Sequence, residues 1–209
     1  ATLLIVNWLP FLIGLVMIAR RLVRTEIPVA TAALVLLLAA FGTLWSPFLA
    51  SLNNHTVAAT GALFGGLCWL DAQERRSLGR FAAWGFAAGW MTVHDLPAGL
   101  IAAAFFLRAW QVARWRSVLV FLPAAALPVI ALVAVNWIAF GTWKPAYSGY
   151  GGETYRFIHE GVPSYWLQPQ GVDRNLDGTW AYFLHATIGH HGFFSLTPLW
   201  LVGFWQASV

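Results

Sequence analysis

Long apolar stretches alternate along the chain with short charged ones. An apolar run covers Thr2 to Ala19 and stops at Arg20, Arg21 and Arg24. A second covers Ile27 to Leu44, and a third runs from Asn54 to Leu70 and ends in the charged segment Asp71–Arg80. Phe81–Leu107 follows, interrupted by His94, Asp95 and Pro97, then Val118–Phe140, and a last run starts near Leu196. Each approaches the ~20 residues that cross a bilayer core as helix. The pattern predicts an all-α fold: a polytopic transmembrane helix bundle of about six complete spans plus a truncated seventh, with residues 1–209 as one membrane domain.

Phe81–Leu107 reads either as one long span or as two short helices of about a dozen residues each, with His94–Asp95–Leu96–Pro97 at the tip. Charge separates the two readings. With the hairpin, Arg20, Arg21, Arg24, Arg75, Arg76, Arg80, Arg108, Arg114 and Arg116, nine of the twelve basic residues, fall on one side. Lys144, Arg156 and Arg174 share the other with Glu153, Glu160, Asp173 and Asp177. The positive-inside bias then puts the arginine loops in the cytoplasm and residues 141–195 outside, as in a bacterial inner-membrane protein. Short arms of that kind thin the bilayer or stop part-way through it, leaving Asp95 to water or protein.

Composition agrees: 59% of the 209 residues are hydrophobic and 10% charged, where a soluble domain carries about a quarter charged. The net charge of +4 is spread over short loops rather than gathered in one patch, which argues against nucleic acid as a partner. The single cysteine, Cys68, excludes an internal disulfide and a multi-cysteine metal site. Ala1 and Val209 both abut apolar runs, so the chain is expected to be a fragment cut at both ends. Residues 141–195 hold most of the tyrosines and four of the six histidines, and Thr179–Ile188 is expected to form an interfacial helix. Gly61-x-x-x-Gly65 and Gly85-x-x-x-Gly89 supply the small faces on which membrane helices pack closely.

Four groups of polar residues stand where polarity is costly. Asn53, Asn54 and His55 read as helix capping with an interfacial histidine, or as the lining of an outer vestibule; Asn54-His55-Thr56 is also a glycosylation sequon, close to the membrane. His94 and Asp95 read as a carboxylate–imidazole pair fit for proton transfer, or as a turn in which Asp95 caps the helix begun by Pro97. Lys144, Tyr147 and Tyr150 suit a lipid-linked phosphate, as they suit a snorkelling lysine and belt tyrosines. His185, His190 and His191 lack a carboxylate at ligand-like spacing, so interfacial or substrate hydrogen bonding is favoured over a metal.

Four segments, in order, also resemble a known family. Gly42–Ala59 (GTLWSPFLASLNNHTVAA) is similar to a "GT…P…NH…AA" segment, and Thr92–Pro97 (TVHDLP) to an acid-bearing turn between two short helices. Asn136–Tyr150 (NWIAFGTWKPAYSGY) resembles "YN…FGSP…GY", and Gly189–Pro198 (GHHGFFSLTP) resembles "G-x-x-G-L-F-x-x-S/T-P". These are patterns of bacterial polytopic membrane glycosyltransferases of the GT-C class, the dolichyl-phosphate-mannose protein mannosyltransferase type. The resemblance implies sugar transfer from a polyprenyl-phosphate donor to a lipid, glycan or protein acceptor on the extracytoplasmic face. It implies that the main catalytic acid belongs to a first outer loop that would precede Ala1. It further implies donor-phosphate stabilisation by Lys144, Tyr147, His190 or His191. Asn53, Asn54, His55, His94, Asp95 and Tyr150 complete the expected cavity lining. Membrane lipids and the polyprenyl-phosphate-sugar donor are the expected partners. The cofactor requirement stays open, a divalent cation included. The competing reading is a transporter or lipid flippase, for which a broken helix with an ionisable junction also speaks.

Overall fold

The computed structural model describes residues 1–43, 45–145, 155–170, 177–189 and 193–196; of these, 78% lie in helix and 2% in strand. The all-α expectation therefore holds at the level of secondary structure. The chain divides into two compact units, Ala1–Val135 and Asn136–Val209.

In the first unit, a π-helical turn, Leu4–Trp8, runs without a break into α1, Leu9–Arg24. Then come α2 (Val29–Phe41), the single turn α3 (Trp45–Phe48) and α4 (Asn54–Glu74). α5 (Leu78–His94) ends at Asp95, a 3-10 turn occupies Leu96–Ala98, and α6 (Gly99–Val112) packs back along α5. The break has a local cause: Asp95 is extended at φ −145°, and Pro97 lies inside the following turn, where a residue without an N–H cannot continue the preceding helix. The turn α7 (Arg114–Arg116) and a π-helical stretch, Ser117–Phe121, lead into α8, Leu122–Phe140, which continues into the second unit.

Three boundaries correct the sequence reading. Arg20, Arg21 and Arg24 lie within α1, not in the loop after it. α4 continues past Leu70 to Glu74, and Arg21 explains why. Its guanidinium donates to Asp71 Oδ1 at 2.9 Å and Glu74 Oε1 at 2.8 Å, so the end of α1 holds an extra turn of α4 in register. The hairpin arms have 17 and 14 residues rather than a dozen; α5 starts early because the Ser77 side chain accepts from the Arg80 N–H as its N-cap. At 1.5 Å per residue α5 is about 25 Å long.

Among the described residues, Leu4–Arg24 and Arg114–Phe140 are both long and apolar enough to cross a membrane, while Val29–Phe41 and Leu96–Val112 are apolar but shorter. Of each long window, 17% is buried within the described protein. The count of six spans is thus not established among the described residues, and the run expected near Leu196 lies almost wholly outside them.

The core of the first unit joins α4, α5, α6 and the π-helical stretch. Trp84 is fully buried, with edge-on contacts to Phe81, Phe105 and Phe121 at centroid distances of 6.0, 6.0 and 5.6 Å. The glycines at four-residue spacing make these helices approach. A Cβ on Gly61 would stand 2.9 Å from Met91 Cβ, and one on Gly85 or Gly89 would overlap the carbonyl oxygen of Phe121 or Ala125. A smaller cluster joins Phe11, Ala40 and Leu49, with Trp45 edge-on to Phe11.

The described part of the second unit holds the end of α8 and a two-stranded antiparallel hairpin, β1 (Ile158–His159) with β2 (Val162–Pro163). Glu160 and Gly161 both have positive φ, 49° and 80°, as a two-residue mirror-image turn requires. Beyond it are a 3-10 turn, Tyr165–Leu167, then α9 (Thr179–Thr187), at the position of the expected interfacial helix, and the turn α10, Phe193–Leu196.

Candidate functional site

The two polar segments that the sequence presents forty residues apart meet at one end of the α4–α5 pair. His55, in the first turn of α4, places Nδ1 2.9 Å from Asp95 Oδ2 at the end of α5. Next to it, Asn54 Nδ2 donates to the His94 carbonyl at 2.8 Å. That carbonyl belongs to the last turn of α5, where carbonyls lack helical partners, so Asn54 satisfies an orphan acceptor. Asn53 caps α4: its Oδ1 accepts from the Thr56 N–H at 2.8 Å and from Thr56 Oγ1 at 3.0 Å. The capping reading is right for Asn53 and wrong for Asp95, whose side chain makes no cap bond and turns to His55 instead. His94 is held separately. Its Nδ1 lies 2.8 Å from the Trp90 carbonyl and its ring leans on the Trp90 indole at 4.4 Å.

The pair is asymmetric in exposure: the Asp95 side chain is 23% exposed and that of His55 67%. In a neutral imidazole, a carboxylate on Nδ1 selects the tautomer with the proton on Nδ1, leaving Nε2 as the acceptor. The result is an oriented base facing solvent, backed by a half-buried carboxylate, the same division of labour as the His–Asp half of a catalytic triad. It can take a proton from a hydroxyl. In its charged form, it can hold an anion.

Asn7 is the residue that pattern reading missed. It is fully buried, and Nδ2 donates to the carbonyls of Leu49 at 3.2 Å and Ser51 at 2.7 Å. These bonds tie the start of the first helix to the segment leading into Asn53, and so position the mouth of α4. A lone amide inside an apolar run was the available signal. Asn7→Leu leaves both carbonyls without that donor; at ~1–3 kcal/mol for an orphaned buried group, thermal unfolding should show a loss of about 2 kcal/mol. An unchanged midpoint would mean the two bonds stabilise nothing.

An apolar groove of about 830 Å³ runs along α1, α4, α5 and α8, with Ile13, Met17, Phe64, Cys68, Phe86 and Trp90 among its walls. Trp90 links it to the polar cluster through His94.

The remaining candidates belong to the second unit or lie outside the described residues. Lys144 lies in the second unit, exposed, its backbone N–H bonded to Thr142 Oγ1 at 3.2 Å. His185 lies exposed in α9. Tyr147, Tyr150, His190 and His191 lie outside the described residues. Among the described residues no three His, Cys, Asp or Glu side chains group as metal ligands would.

No family model matches the chain, and neither a curated protein nor a solved structure was found to match it.

Proposed function

We propose that the chain is a multi-spanning membrane protein that moves a sugar from a polyprenyl-phosphate donor to an acceptor on the extracytoplasmic face. The observation that carries this reading is the His55–Asp95 pair, with Asn54 on the His94 carbonyl. Two of the segments that resemble the GT-C glycosyltransferases, Gly42–Ala59 and Thr92–Pro97, there become one polar site. An apolar groove of about 830 Å³, reached from the site through His94 and Trp90, is proposed to take the polyprenyl chain. Exposed apolar side chains on α1, α2, α6 and α8, among them Leu12, Leu37, Leu100 and Ile130, suit lipid contact. In this arrangement the shorter helices α2 and α6 also sit in the bilayer, by local thinning, and the six-span topology follows.

In the proposed reaction the acceptor hydroxyl attacks the anomeric carbon, and the bond to the donor phosphate breaks with inversion. His55 hydrogen-bonds the reacting groups through Nε2, oriented by Asp95. Lys144, Tyr147, His190 and His191 are proposed to steady the leaving phosphate, and a carboxylate of a first outer loop to take the acceptor proton. Purified protein incubated with radiolabelled short-chain polyprenyl-phosphate hexose and a membrane extract as acceptor should transfer label, and His55→Ala, which removes one positioned hydrogen bond, should lower the rate about a hundredfold. Transfer at the full rate by His55→Ala would remove the pair from the chemistry. Gradient-coupled uptake of sugar without transfer would favour a transporter.

A further inference from the structure

At the opposite end of the α4–α5 pair, six arginines gather: Arg75, Arg76, Arg80, Arg108, Arg114 and Arg116. The two acids in the last turns of α4, Asp71 and Glu74, are both taken by Arg21. Among the described residues none of the six arginines forms an ion pair. Orientation by the positive-inside bias asks only that such charges be present. It does not ask for a pocket, and here there is one. A cavity of about 390 Å³ lies between α4 and α6, lined by Trp69, Gln73, Arg76, Arg108, Gln111 and Val112.

Of its two arginines, Arg108 is held in place. The Arg108 guanidinium lies over the Trp69 indole at 5.9 Å, and its Nη1 donates to Gln111 Oε1 at 3.1 Å. Stacking and one hydrogen bond fix the plane of the guanidinium while leaving further N–H donors unused. Arg116 Nη1 donates to the Arg76 carbonyl, which fixes the segment carrying Arg76 against α7. The amide of Gln73 and the indole face of Trp69 complete a lining of cation, amide and apolar wall. Leu107, next to Arg108 in sequence, and Trp115, between Arg114 and Arg116, are 60% and 77% exposed.

We propose that this cavity binds the phosphate of an anionic phospholipid headgroup, with Arg76 and Arg108 as its cationic ligands and the exposed Leu107 and Trp115 meeting the acyl chains. A planar guanidinium fork suits a phosphate diester better than a monovalent halide or a carboxylate-free sugar. The exposed apolar side chains next to these arginines in sequence favour a lipid over a free anion. The inference rests on the membrane placement proposed above and is independent of sugar transfer, so loss of transfer activity leaves it standing.

The test is titration of the purified protein, in nonionic detergent, with short-chain phosphatidylglycerol, short-chain phosphatidylcholine and inorganic phosphate. Phosphatidylglycerol should bind at least about tenfold more tightly than the other two. Arg108→Gln and Arg76→Gln should each weaken it about tenfold, while Arg24→Gln, which removes the same charge from the end of α1, should change it less than twofold. Arg108→Lys, which keeps the charge and loses the fork, should fall in between. Circular dichroism of each variant checks that the helices persist. Equal weakening by Arg24→Gln and Arg108→Gln would reduce the effect to diffuse surface charge and overturn the site. Phosphate binding as tight as the lipid would overturn the lipid assignment, and no phosphatidylglycerol binding would overturn the proposal outright.

Discussion

Leucine in place of Gly89 is expected to destabilise the protein by about 3 kcal/mol or more, the upper end of what overpacking costs. The reason is where the new atoms would go. A Cβ at Gly89 falls on the carbonyl group of Ala125, and one at Gly85 on that of Phe121. Backbone cannot rotate away as a side chain can, so α5 and the α8 segment would have to part along their whole contact. Parting would also open the aromatic cluster around Trp84, whose contact with Phe121 crosses that seam. Gly65 differs: its added Cβ would meet only the ring edge of Phe105, a side chain able to turn. Gly66 differs again, with nothing within 4 Å, and Gly66→Ala should gain about 0.5–1 kcal/mol from helix propensity. Thermal unfolding of the three single variants, Gly89→Leu, Gly65→Ala and Gly66→Ala, should rank them in that order of loss. A Gly89→Leu protein as stable as the parent would mean that the two helices are not held at this distance.

The second large effect is expected at Asp95. Asp95→Asn keeps the shape and removes the charge, and its amide can present an N–H to His55, favouring the tautomer with the proton on Nε2. The imidazole then offers a donor where the proposed reaction needs an acceptor. Transfer from a polyprenyl-phosphate hexose should fall about a hundredfold, within the range that one preorganised hydrogen bond to a reacting group contributes. In a His55→Ala background the same change should cost little more, because residues that act as one unit do not add. Additive losses would show that Asp95 acts without His55. Asn54→Ala should be milder, since it removes one bond to the His94 carbonyl and touches neither member of the pair.

The helices were legible because an apolar run bounded by arginines can be little else, and Asp95-x-Pro97 marks a break wherever it occurs. Helix ends were less so. Nothing local to Asp71 says that α4 goes on to Glu74; that depends on Arg21, fifty residues away. The candidate site was legible as two separate groups, each with a mundane reading. Asn53 proved to be the cap it resembled. Asp95 did not, and only the return of α5 alongside α4 puts its carboxylate on His55. Sequence spacing carries no such information, because the forty intervening residues set the register through glycine contacts such as Gly61 on Met91. Asn7 escaped notice for the same reason: its partners are backbone carbonyls, which no sequence pattern displays.

The central claim is sugar transfer at the outer face, and sidedness tests it most directly. Sealed right-side-out and inverted vesicles carrying the protein would be given a water-soluble short-chain polyprenyl-phosphate hexose, labelled in the sugar, from outside only. The account predicts label transferred to membrane acceptors in right-side-out vesicles, and transfer in inverted ones only after they are permeabilised. Label transferred by inverted vesicles alone, or sugar accumulated inside the vesicles with no acceptor labelled, would contradict it.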